Sequence, residues 1–112
     1  MTESSPIFSR TLSLILWLMQ HTSRFPKNER FRLSKQWTDA LFNFHHHLVT
    51  LVYEPDKRGI VVKADIELAK VRTYGRLSHE MALTTIKQYE YFCGEITEIG
   101  RLLGGWKKKL AA

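Results

Sequence analysis

The chain has 112 residues, 44% of them hydrophobic and 25% charged, with a formal net charge of +6. That length holds one domain with a modest core, and this composition excludes a disordered chain. The charge directs the molecule towards polyanions, without distinguishing RNA, DNA, an acidic protein or an anionic membrane.

Periodicity predicts four helices. The first covers residues 7–24, with Phe8, Leu12, Ile15 and Met19 as its core line and Ile7, Leu14 and Leu18 widening it. Its apolar run at 12–19 is well short of the roughly 20 residues that cross a bilayer, so the expectation is a soluble, cytoplasmic protein with no membrane partner. Pro26 interrupts this helix, because proline lacks the amide donor and disfavours helical geometry in the residue before it. The second helix covers 28–54, with Asn28 as its N-cap, Glu29 at the positive end of the dipole, and Trp37, Leu41, Phe44, Leu48 and Leu51 as its core line. The segment 54–59, Glu-Pro-Asp-Lys-Arg-Gly, is the clearest turn.

The third helix covers 62–82, with Ala64, Leu68, Val71 and Gly75 on one face. The fourth covers 85–104, opened by a capping box of Thr85 and Gln88. Its core line is Tyr89, Phe92 or Cys93, Ile96, Ile99 and Leu103, and Gly104-Gly105 is the expected stop. A basic tail, 106–112, follows. Period-two alternation is absent and the connections are short, so the expected fold is all-α, an antiparallel up-down-up-down four-helix bundle. Cys93 is the only cysteine, which excludes an internal disulfide and fits a reducing compartment; beside Phe92 and Ile96 it reads as a small core residue.

Some apolar residues fall outside these core lines. Leu16 lies among Ser9, Ser13 and Gln20, Trp17 borders the same polar face, and Phe42 lies beside Asp39 and His46. Exposed apolar patches on small proteins mark interfaces, so Leu16, Trp17 and Phe42 are candidates for contact with another copy or a partner.

Candidate chemistry is thin. His45, His46 and His47 are separated by about 100° around a helix axis, so they point in three directions and cannot grip one metal. The Glu-x-x-His spacing of bundle metal sites is absent, as are phosphate-binding loops, dinucleotide fingerprints and nucleophile elbows. The expectation is a non-enzyme with no metal and no cofactor.

The basic residues are patterned. Arg72, Arg76 and His79 follow one helical stripe; Glu80 is within reach of Arg76, whereas Arg72 has no acid three or four residues away. Arg24, Lys27, Arg30, Arg32 and Lys35 form a second cluster, and Lys107, Lys108 and Lys109 beside Trp106 form a third. Basic residues near a helix C-terminus also offset its dipole, which accounts for part of the bias without a ligand. Three clusters on one small chain favour a polyanion held through the backbone, arginine by its fork and lysine as a point charge.

FPKNERF at 25–31, KADIELAKVR at 63–72, LTTIKQYEY at 83–91 and EIGRLLGGWKKK at 98–109 fall in order along the chain. In these segments the sequence resembles the four-helix proteins encoded in 23S rRNA intervening sequences. It is most similar to their relatives in diversity-generating retroelements, the accessory variability determinant (Avd) proteins. The resemblance implies a bundle assembled as a barrel-like homopentamer, a positive surface that binds RNA and DNA, and a reverse transcriptase as partner. In that role the protein supports mutagenic copying of a template RNA into cDNA. Carried onto this chain, the basic helix-three positions are Arg72 and Arg76, with His79 where a further arginine is an option. The alternatives are a standalone intervening-sequence protein and a structural oligomer with no nucleic-acid role.

Overall fold

A computed structural model describes residues 1–111. Its four helices are α1 (Pro6–Thr22), α2 (Leu33–Tyr53), α3 (Arg58–Glu80) and α4 (Ile86–Ala111), with a single 3-10 turn, Lys27–Glu29, between α1 and α2. Among the described residues there is no strand, and no helix is long and apolar enough to cross a membrane.

Each helix runs antiparallel to its neighbours, because the residues that meet count in opposite directions. Arg10 meets Glu95 and His21 meets Thr84; Phe8 meets His45 and Trp17 meets Trp37; Asp65 meets Lys107 and His79 meets Tyr89. The packing order is cyclic, α1–α2–α3–α4 and back to α1, with α2 on α3 the most extensive pair. The bundle measures 44 × 24 × 21 Å, so its two ends are far apart relative to its width. One end carries the α1–α2 and α3–α4 connections. The other carries the start of α1, the α2–α3 turn and the end of α4.

The predicted core lines of the second and third helices are all buried, from Trp37 to Leu51 and from Ala64 to Gly75. On the fourth helix Phe92, Ile96, Ile99 and Leu103 are buried, while Tyr89 and Cys93 lie at the margin. The first helix departs from expectation. Leu12 and Met19 are 57% and 51% exposed, and the line that faces the core is Ile7, Phe8, Thr11, Leu14, Ile15, Leu18 and Thr22. Seven apolar residues cannot share one stripe of a helix with only two neighbours, so the outermost two face solvent.

Helix ends follow local chemistry. Pro6 occupies the first turn of α1, where its missing N–H costs nothing. That helix ends at Thr22, ahead of the position expected from Pro26. Asn28 caps nothing and lies inside the 3-10 turn; Glu29 folds inward, buried, and accepts an ion pair from Arg32 at 3.2 Å. The Thr85–Gln88 capping box forms reciprocally, Gln88 N–H donating to Thr85 Oγ1 at 3.2 Å and Thr85 N–H to Gln88 Oε1 at 2.8 Å. The third helix starts four residues ahead of the predicted Val62, because Lys57 folds back to donate its ammonium to the Leu51 and Glu54 carbonyls and closes the turn early. It ends in a Schellman motif, with Leu83 N–H on Ser78 O, Ala82 N–H on His79 O, and Ala82 in the left-handed region at φ 61°.

Gly104-Gly105 does not stop the fourth helix, which continues to Ala111. No glycine among the described residues has a positive φ, so neither one supplies the left-handed turn that a stop requires. Continuing the helix lets Leu110 pack against the core and lets Lys107 reach Asp65 on α3. The expected basic tail is therefore the last helical turns; its final residue, Ala112, lies outside the described residues.

Candidate nucleic-acid interface

The predicted cations do not form one cluster. Lys107, Lys108 and Lys109 lie at the end where α4 finishes, beside the α2–α3 turn: Lys109 and Lys57 both depress the pKa of the Met1 amino group, although burial contributes more. Arg24, Lys27, Arg30, Arg32 and Lys35 lie at the opposite end, around the α1–α2 connection.

Several cations are already paired. Arg32 meets Glu29, Lys35 meets Asp39 at 2.7 Å, Arg76 meets Glu80 at 3.3 Å, and Lys107 meets Asp65. Among the described residues the candidates Arg24, Lys27, Arg30, Arg72, Lys108 and Lys109 make no ion pair, nor do Lys57, Arg58, Lys63 and Lys87. Exposed pairs such as Arg76–Glu80 are weak and exchange partners readily.

Arg72 occupies a place prepared for it. A Cβ built on Gly100 would lie 2.5 Å from Arg72 Nη2, so the arginine lies across α4 where that helix has no side chain. Its guanidinium thus sits exposed in the groove between α3 and α4, with Arg76 one turn further along. A guanidinium held this way, without an acidic partner, is suited to a phosphate.

His79 is engaged at the bundle end. Its ring stacks on Tyr89, parallel at 4.9 Å, and its Nδ1 lies 2.9 Å from the Thr84 carbonyl. A carbonyl only accepts, so Nδ1 carries the proton and the ring serves to fasten the α3–α4 turn. Thr84 continues a buried chain whose directions follow by elimination. Ser78 donates to Gly75 O at 2.7 Å, so its Oγ accepts from Thr84 at 2.8 Å, and Thr84 Oγ1 in turn accepts from His21 Nε2–H at 2.7 Å. Burial, and after it the Arg24 charge, lower the His21 pKa, which keeps this ring neutral at neutral pH.

Trp17, which borders the polar face, is only partly exposed. It is stacked on His21 at 4.6 Å, and it joins Trp37, Tyr91 and Phe92 in one aromatic cluster. Leu16 and Phe42 do face solvent, at 55% and 46% exposure. Reading by residue type missed Phe31, which is 85% exposed between Arg30 and Arg32. The signal was an aromatic among cations outside any helical line. The three consecutive histidines diverge, and no group of three or more His, Cys, Asp or Glu among the described residues is placed to hold a metal.

Fold and surface together define a small helical bundle with unpaired cations along one groove and at both ends. The bAvd-like family model matches residues 7–110, and the chain belongs to that family, which is of an accessory, non-catalytic type. Comparison with curated proteins and with solved structures finds no significant match.

Proposed function

We propose that this protein is a non-catalytic accessory subunit of a diversity-generating retroelement, a basic homo-oligomer that binds template RNA and cDNA and associates with the element's reverse transcriptase. Membership of the bAvd-like family supports the retroelement setting. The observation that carries the nucleic-acid reading is Arg72, unpaired and seated over Gly100 in the α3–α4 groove, with the weakly held Arg76 beside it. Five copies in a barrel-like pentamer would carry a formal charge of about +30, from +6 per chain, and attract RNA from a distance. A family of an accessory, non-catalytic type supports a role of holding and presenting.

The test is equilibrium binding of a single-stranded RNA across a salt series, for the native chain and an Arg72→Gln/Arg76→Gln variant. The native chain should lose affinity linearly on a log–log plot, because binding releases counterions. If both groups touch phosphates, the variant's slope should be shallower by roughly 0.7 for each phosphate that is no longer neutralised. An unchanged slope removes the groove from the interface, and no binding even at low salt leaves a structural oligomer. Co-purification of a reverse transcriptase tests the partner separately.

A further inference from the structure

Two apolar surfaces remain uncovered, and they lie on opposite sides of the bundle. The first runs along α1, where Leu12, Leu16 and Met19 recur at helical spacing, and is continued by Phe42 on α2. The polar residues around its α1 part are uncharged, Ser9, Ser13 and Gln20, on a chain that is a quarter charged, whereas on α2 Phe42 has Thr38 and the Lys35–Asp39 ion pair beside it. Loss of charge around an apolar centre is the compositional mark of an interface. This surface deepens at the α1–α2 end into an open groove of about 360 Å³ lined by Met19, Thr22, Arg30, Ser34 and Phe42. The buried Ser34 Oγ has no hydrogen-bond partner, and Arg30 has no ion pair among the described residues.

The second surface is the outward face of α3. Val62, Ile66, Ala69, Thr73 and Leu77 are all exposed at 4-3-4-4 spacing, directly opposite the buried line Ala64, Leu68, Val71 and Gly75. A helix apolar on both faces is built to be covered on both. Glu80 follows this stripe one turn beyond Leu77 and two beyond Thr73.

We infer that these surfaces are the two halves of one joint: the outer face of α3 in one copy seats in the α1–α2 surface of the next, parallel to α1. This inference rests on the proposed self-association and assigns the surfaces that carry it. Charge decides the direction. With α3 parallel to α1, Leu77 reaches the groove beside Met19 and Phe42, and Glu80 reaches Arg30. In the reverse direction Arg58 and Lys63 would face Arg30 and Lys27, four cations together. The joint is heterologous, each copy giving one surface and receiving on the other, so successive copies form a closed ring or an open array. The groove end of the joint combines residues from two chains.

Two variants, measured by sedimentation without RNA, test this. Leu16→Glu spoils the α1 surface and Ile66→Glu the α3 surface, and both positions are about half exposed, so the bundle stays folded by circular dichroism. The native chain should be an oligomer and each variant a monomer. An equimolar mixture should form a dimer of twice the chain mass and stop there, since one good α1 surface and one good α3 surface remain. A native oligomer whose mass survives either substitution, or two variants that stay monomeric on mixing, overturns the joint. A monomeric native chain overturns the self-association on which it rests. Direction is tested with Arg30→Glu, which should weaken assembly several-fold, and with the added reversal Glu80→Arg, which should restore it; no recovery overturns the parallel register.

Discussion

Thr84 illustrates how much of this bundle's end depends on single polar atoms. Its hydroxyl accepts from His21 Nε2–H and donates to Ser78 Oγ, and its carbonyl accepts from His79, so one residue ties α1, α3 and the start of α4. Thr84→Val keeps the shape and removes the relay, leaving His21 Nε2–H and a Ser78 lone pair buried without partners. The expected cost is about 1–3 kcal/mol in urea unfolding. His21 also sets a pH dependence. Its folded pKa is below the ordinary histidine value, chiefly through burial, so the unfolded chain binds the extra proton more readily. The stabilisation is complete above the unfolded value near pH 6.5 and is lost as pH falls from there through the folded value. His47, lowered mainly by burial as well, adds to the same trend. The melting temperature should therefore drop on acidification below about pH 6.5, and less steeply in His21→Phe; equal slopes in the two proteins would assign the titration elsewhere.

Helical elements were legible wherever a core line has buried neighbours on both sides, which is why Trp37 to Leu51 and Ala64 to Gly75 read correctly from spacing alone. Leu12 and Met19 misled because periodicity reports an apolar stripe but not which part of a wide stripe faces its own bundle. Val62, Ile66 and Leu77 went unread for the same reason, on the opposite face of an amphipathic helix. Arg72's seat over Gly100 was out of reach, since it depends on how α3 meets α4. The double glycine misled through propensity, and glycine substitutions now separate the two descriptions. At Gly104 and Gly105 an added Cβ meets nothing within 4 Å and the backbone is helical, so Gly104→Ala and Gly105→Ala should each stabilise by up to about 1 kcal/mol. A glycine that ended the helix in the left-handed region would give the opposite sign. Gly75 has equally helical backbone, but its Cβ would run into the Phe92 ring in the core. Gly75→Ala should therefore destabilise, by about 1–3 kcal/mol of overpacking, despite the better helix former. Thermal melts of the three variants decide both points.

At the scale of the whole molecule, the cations divide between two ends of a rod 44 Å long, and the ends differ in kind. The end where α4 finishes offers Lys108, Lys109 and, from the α2–α3 turn, Arg58, since Lys107 is held by Asp65. The α1–α2 end combines Arg24 and Lys27 with Phe31, an aromatic ring almost fully in solvent. Cations hold a phosphate backbone and are screened by salt; an exposed ring stacks on a base and is not. The α1–α2 end is therefore suited to single strands, because Phe31 is the most exposed ring among the described residues and Tyr53, at the other end, has its hydroxyl on Glu3. Replacement of the ring tests this without touching the charge. Phe31→Ala should lower affinity for a short single-stranded RNA by about 1–3 kcal/mol at every salt concentration, leaving the log–log slope unchanged. A duplex of the same length, whose bases stay stacked, should bind both proteins alike. Were the loss equal for single strand and duplex, Phe31 would be supporting the α1–α2 connection instead of contacting a base.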